Sequence, residues 1–153
     1  IGYPVGAIID GIEEFLGWRM VKEAFLVGAG SMGSALLGYS KFEQCGLKIV
    51  AAFDNNPAVA GRKIRGKHVL PLRKLEELSR RMHVLLGIIT VPAGEAQAVA
   101  ERLVASGIRA IWNFAPVRLR LPEGIIIHNE DLYCSLASLS HKLAAQLRKE
   151  SGG

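Results

Sequence analysis

Gly28-Ala29-Gly30-Ser31-Met32-Gly33 spaces three glycines as G-x-G-x-x-G, the pattern of a backbone turn built to hold phosphate. Gly28 permits a sharp turn after a strand, Gly30 lets backbone approach a pyrophosphate, and Gly33 lets the following helix pack close to that strand. The first N–H groups of such a helix have no acceptor within it, so they face an anion at the favourable end of the helix dipole. Ala29, Ser31 and Met32 complete the candidate turn. No Lys-Ser/Thr pair follows, which excludes a Walker-type nucleotide triphosphate loop. Asp54 stands 26 positions after Gly28, where a carboxylate accepts hydrogen bonds from an adenosine ribose and repels a ribose phosphate. The expected ligand is therefore NAD rather than NADP, with Asn55 beside Asp54 in the same candidate set. Arg62, Lys63 and Arg65 lie close enough in sequence to offer a phosphate an alternative partner.

Two further tracts sit where strands should end. They are Thr90-Val91-Pro92-Ala93 and Asn113-Phe114-Ala115-Pro116. The prolines stop the strands, and the small alanines leave room for a flat ring. A catalytic acid or base is harder to find. His68 and His83 fall toward the wrong strand ends, His128 precedes an acidic pair, and His141 lies on a helix. Cys134 and His141 are seven apart, about 10 Å along a helix, too far for direct proton transfer. The residues point to binding without turnover, and no substrate-binding domain accompanies them.

The elements that position these residues alternate. Residues 4–17 repeat Val5, Ile8, Ile9, Ile12, Phe15 and Leu16 at helical spacing. Residues 23–28 form a short apolar strand, 31–45 a helix, and 47–53 a second buried strand. Ile64, Gly66 and Val69 suggest a small β excursion, followed by a short helix over 72–81. Strands are expected at 84–91, 110–114 and 125–128, with a helix over 95–106 capped by Gly107. A last helix over 131–149 aligns Leu132, Leu136, Leu139, Leu143 and Leu147. Apolar strands alternating with helices predict an α/β fold, a Rossmann-like, mostly parallel sheet covered on both faces. From spacing alone, the last helix either packs back on the sheet or crosses to a partner.

Composition agrees with one globular domain of 153 residues, half of them hydrophobic and 22% charged. The two cysteines, Cys45 and Cys134, are distant and make no CxxC, against a zinc site or a disulfide scaffold; no metal is expected. No apolar run is long enough to span a membrane, and the start lacks a signal-peptide pattern, so a cytoplasmic protein is expected. Residues 62–81 carry eight Lys/Arg and two Glu. That segment is either a solvated face or a patch that steers phosphates or nucleic acid.

Taken together, GYPV at 2–5, VGAGSMGSALLGY at 27–39, IVAAFDNNP at 49–57, TVPA at 90–93, IWNFAPVRL at 111–119 and NEDLYCSLASLS at 129–140 resemble the Rex family of redox-sensing transcriptional repressors. The resemblance covers nearly the whole chain and corresponds to that family's C-terminal, CoA-binding-like Rossmann part. It implies a homodimer that binds NAD, with NADH preferred over NAD+, and that releases operator DNA when NADH binds. It implies a linker helix over 1–19 after a DNA-binding domain, a dinucleotide-binding domain over 20–130, and a dimerisation helix over 131–153 exchanged between subunits. Leu132 would lie beside the partner's nicotinamide, and Tyr39 would bond the partner's Asp131 in the NADH form. The family's winged-helix domain has no counterpart in these residues, so contact with operator DNA is expected only through an upstream domain. The alternative from the residues themselves is a stand-alone CoA- or nucleotide-binding domain with no DNA role.

Overall fold

The computed structural model describes residues 22–130 and 132–152, with backbone alone for Lys22 and for residues 132–136. The predicted helix within 1–19 and Asp131 lie outside the described residues. The chain runs β1 (Lys22–Val27), α1 (Ser31–Leu37), α2 (Lys41–Gln44), β2 (Leu47–Asp54), β3 (Lys63–Ile64) and β4 (Lys67–Pro71). A 3-10 turn (Leu72–Lys74) leads into α3 (Leu75–Arg81). Then follow β5 (Leu86–Ile89), α4 (Ala93–Ala105), β6 (Ala110–Asn113), β7 (Ile126–Asn129) and α5 (Leu132–Gly152). Among the described residues no helix is long and apolar enough to cross a membrane.

The strands form one sheet in the order β3-β4-β2-β1-β5-β6-β7. All neighbours are parallel except β3 and β4. β1 is central because both its faces are apolar. Phe25 and Val27 enter one core, and Ala24 and Leu26 enter the other. The first core is closed by Leu75 of α3 and by Ala96, Val99, Ala100 and Leu103 of α4. The second is closed by Leu36 and Leu37 of α1 and Phe42 of α2. Chain order reverses direction across the sheet at β1, which leaves a crevice at the carboxyl ends of β1, β2 and β5.

Three local departures from the simple pattern have physical causes. The register between β1 and β2 shifts between Ala24 and Phe25, so Ala24 faces Ile49 and Phe25 faces Ala51. Val50 is the extra residue of this bulge, and it packs with Ala51 and Phe53 against the first core. The helix expected over 31–45 breaks at Gly38, and α2 is a separate turn. A side chain at Gly38 would stand 3.0 Å from the Arg65 side chain, so the break is a point of close approach by the β3–β4 hairpin. That hairpin turns at Arg65 and Gly66, both with positive φ (52° and 83°), as a two-residue primed turn requires. The predicted Gly107 cap of α4 is present. Ile108 N–H donates to the Leu103 carbonyl and Gly107 N–H to that of Val104, the two bonds of a Schellman ending.

Candidate functional site

The glycine turn leaves β1 at Gly28, whose φ of 106° is the left-handed conformation that a side chain disfavours. A Cβ there would stand 2.8 Å from the Thr90 carbonyl carbon and the Val91 nitrogen. Gly33 is required for a different reason. A Cβ on it would fall 1.8 Å from the Gly28 carbonyl oxygen, because α1 begins directly against the turn. Gly30 differs from both. A Cβ at Gly30 would meet nothing within 4 Å, so the protein itself does not demand a glycine there. The space it leaves opens on the cleft, as a turn shaped for close approach by a ligand requires.

Thr90 holds the turn from the neighbouring strand. Its N–H donates to the Val27 carbonyl at 2.9 Å, and its hydroxyl donates to the Gly28 carbonyl at 2.5 Å. Asp54 holds it from the other side. One carboxylate oxygen accepts the Ala29 N–H and the other accepts the Asn56 N–H, both at 2.8 Å. Each oxygen keeps a second lone pair, so the half-buried carboxylate can still accept from a hydroxyl.

These parts surround a cleft at the crevice. Gly28, Gly30, Ser31 and Met32 line it from β1 and α1, and Asp54 and Asn55 from β2. Thr90, Val91 and Pro92 contribute from β5, and Phe114, Ala115 and Pro116 from β6. The structure thus brings together most of the residues singled out in the sequence. Ala29 and Gly33 lie beneath the lining, the first through its N–H and the second through packing. Asn113 is fully buried under its loop, where its amide donates to the Ala115 and Val117 carbonyls and to Asn129. Its Oδ1 accepts the Ala115 N–H at 3.0 Å, so Asn113 shapes the loop that Phe114, Ala115 and Pro116 present. The side chain of Leu132 is outside the described ones, as is Asp131.

Sequence reasoning missed Val27, Asn56, Val59, Leu72, Glu95 and Val99 as lining residues. Glu95 and Val99 are four apart on α4, so helical spacing held a signal for that pair. Val59 and Leu72 reach the cleft by way of a loop and a 3-10 turn, which carry no period. Among the described residues no Lys, Arg or His lines the cleft, and its ionisable side chains are Asp54 and Glu95. His128 instead lies 2.9 Å from Glu130, a buried carboxylate that also accepts from the Trp112 indole.

Tyr39 sits away from the cleft, in a second cavity between α1, α2 and the β3–β4 hairpin. Its ring meets Phe42 edge-on at 4.7 Å. Its hydroxyl is buried with no hydrogen-bond partner among the described residues. An unpaired buried hydroxyl is costly, which makes this side chain responsive to any acceptor brought near it.

The strand order, the crevice and the glycine turn define a nucleotide-binding Rossmann-type module. A family model described as "CoA binding domain" matches residues 21–117. The redox-sensing transcriptional repressor Rex of Bacteroides fragilis is 42% identical over 146 residues, covering 94% of this chain and 65% of that protein. RSP, a Rex-family repressor, is 35% identical in its complex with β-NAD+ and operator DNA. That match has a TM-score of 0.79 and covers 99% of this chain and 70% of RSP. In complex with β-NADH it is 34% identical, with a TM-score of 0.80 over 99% of this chain and 74% of RSP. The chain belongs to the Rex family of redox-sensing transcriptional repressors, as their CoA-binding-type Rossmann domain. It spans about 65% of the length of the Bacteroides relative.

Proposed function

We propose that the cleft holds NAD(H) and that the chain is the redox-sensing part of a Rex-type repressor, regulatory rather than catalytic. Asp54 is the observation that carries this reading. Its carboxylate closes β2, grips the glycine turn through Ala29, and retains lone pairs on the cleft side. A ribose with two free hydroxyls fits such a group, whereas a ribose phosphate does not. The same repulsion disfavours NADPH at its 2′-phosphate and CoA at its 3′-phosphate. No cation lines the cleft among the described residues. On this reading the pyrophosphate is held by backbone N–H groups of the turn and the start of α1, and Ala115 and Pro116 flank the ring. RSP, similar over nearly all of this chain, forms complexes with both β-NAD+ and β-NADH, which supports the reading.

The test is a fluorescence titration with NADH, NADPH and CoA as competitors. NADH should bind at least about tenfold tighter than NADPH, a difference of roughly 1.4 kcal/mol. Comparable affinities would sink the NAD(H) reading, and displacement by CoA at low concentration would replace it with the CoA reading.

The rest of the proposal concerns the switch. NADH is preferred over NAD+, and its binding changes the arrangement of a homodimer joined through the helix over 131–153. The unpaired Tyr39 hydroxyl supports a contact made only in one state, with Asp131 of the second subunit as the acceptor. A ligand shifts such an equilibrium only through differential affinity for the two arrangements. Operator DNA would be read by an upstream winged-helix domain outside residues 1–153.

A further inference from the structure

We infer that Glu95 sets the balance between the two redox states of the bound dinucleotide, drawing the oxidised form into the cleft and holding the preference for NADH in check. The inference rests on the NAD(H) reading and deepens it.

Asp54 and Glu95 are the ionisable side chains that line the cleft among the described residues, and they stand on opposite sides of the glycine turn. Asp54 ends β2, and Glu95 is in the first turn of α4, directly after β5. β2 and β5 flank β1 on either side. A dinucleotide laid across the carboxyl ends of a parallel sheet places its two halves on either side of the central turn. With the adenosine ribose at Asp54, the nicotinamide half falls toward β5 and β6. The lining there is Val91, Pro92, Glu95, Phe114, Ala115 and Pro116, and Glu95 is its only charge among the described residues. Its carboxylate has no ion-pair partner there either, and the start of α4, equivalent to roughly half a positive charge, offsets its field only in part.

The two redox states share their pyrophosphate and differ at the ring. The oxidised pyridinium carries a positive charge, and the reduced dihydropyridine is neutral. A carboxylate on the ring side therefore attracts one state and leaves the other nearly untouched. For opposite charges roughly 7 Å apart at an effective dielectric of about 40–80, the preference is about 3- to 7-fold. Asp54 contributes little to this difference, because it faces the half of the ligand that does not change. A sensor of the NADH/NAD+ ratio switches where the two occupancies balance. Each fold gained by NAD+ raises that switching ratio by the same fold.

The experiment measures NADH and NAD+ affinities for the wild type, Glu95→Gln and Glu95→Asp, at low salt and in about 1 M NaCl. Glu95→Gln should weaken NAD+ by about 3- to 7-fold and leave NADH within about twofold. Glu95→Asp should keep most of the wild-type ratio, and high salt should narrow the gap between wild type and Glu95→Gln. Equal losses for both nucleotides, or an unchanged ratio in Glu95→Gln, overturn the inference. Failure of the wild type to bind either nucleotide overturns the NAD(H) reading instead, so the two failures are distinguishable.

Discussion

Three glycines in one motif do three different jobs, and substitution separates them. Gly33 is fixed by the fold, since its Cβ would lie 1.8 Å from the Gly28 oxygen. Gly33→Ala should cost about 3 kcal/mol through overpacking against backbone, a fall in Tm of roughly 6–12 °C. Gly30 is not fixed by the fold, since its Cβ would meet nothing within 4 Å and its φ is −76°, and the proposed ligand is what would require it. Gly30→Ala should leave Tm within about 2 °C while weakening NADH at least roughly tenfold, because the methyl enters the space a pyrophosphate needs. Thermal unfolding and a nucleotide titration on the two variants check this. A Gly30→Ala protein that binds NADH normally would show that the open space has no bearing on the ligand. Spacing revealed that these glycines matter. It could not reveal which served the chain and which the ligand, because that depends on what stands opposite each Cβ. Asn113 makes the same point. Its tract read as a ring contact, yet its amide is spent on Ala115, Val117 and Asn129. Burial under a loop leaves no mark in four letters of sequence.

At the scale of elements, the helices over the first core are joined by one ion pair. Arg102, near the end of α4, donates from its Nε and a terminal nitrogen to the two oxygens of Glu76 in α3, at 2.8 and 2.9 Å. It also donates to the Leu72 carbonyl at 3.1 Å, in the 3-10 turn that feeds α3. The Arg102 guanidinium bonded to it lowers the Glu76 carboxyl below its usual 4.5. A lowered folded-state value stabilises the fold above 4.5, and the contribution is lost as pH falls through the folded value. Both side chains are well exposed, at 39% and 45%, so the pair is worth only about 0.5–1 kcal/mol after screening. Melting curves from about pH 6 to pH 3 should show the wild type losing more stability below about pH 4.5 than Glu76→Gln does. Identical acid profiles would mean that the contact contributes nothing in solution. The elements themselves were largely legible, because a doubly covered parallel sheet writes its strands as continuous apolar runs between helical periods. Long-range contacts were not. The Arg65 side chain, from a hairpin far along the chain, lies close against the break at Gly38, and the bulge at Val50 is a matter of register with β1.

The whole molecule carries an apolar stripe that its own sheet does not cover. Leu139, Leu143 and Leu147 repeat every four residues along α5, and they are 48%, 55% and 54% exposed. This exposure supports the proposal that the last helix crosses to a partner, since a helix packed back on the sheet would bury its leucines. Two copies of the stripe meeting would bury six half-exposed leucines, worth roughly 1 kcal/mol each. That is below the ~8 kcal/mol of a micromolar complex, so a dimer needs more surface than the stripe. Leu85 and Ile126 are also exposed, at 53% and 59%. They lie at the amino ends of β5 and β7, joined in register through β6. That end is opposite the cleft, so these two residues stand apart from an interface that would bring residue 132 beside the partner's nicotinamide. Sedimentation at about 10 μM should give a dimer for the wild type and a monomer for Leu143→Glu, which places a charge at the centre of the stripe. Because the residue at 132 is proposed to stand beside the partner's nicotinamide, the monomeric variant should also bind NADH more weakly. A wild-type protein that sediments as a monomer would end the dimer proposal. A monomeric Leu143→Glu protein with unchanged NADH affinity would keep the dimer but remove the partner's helix from the cleft.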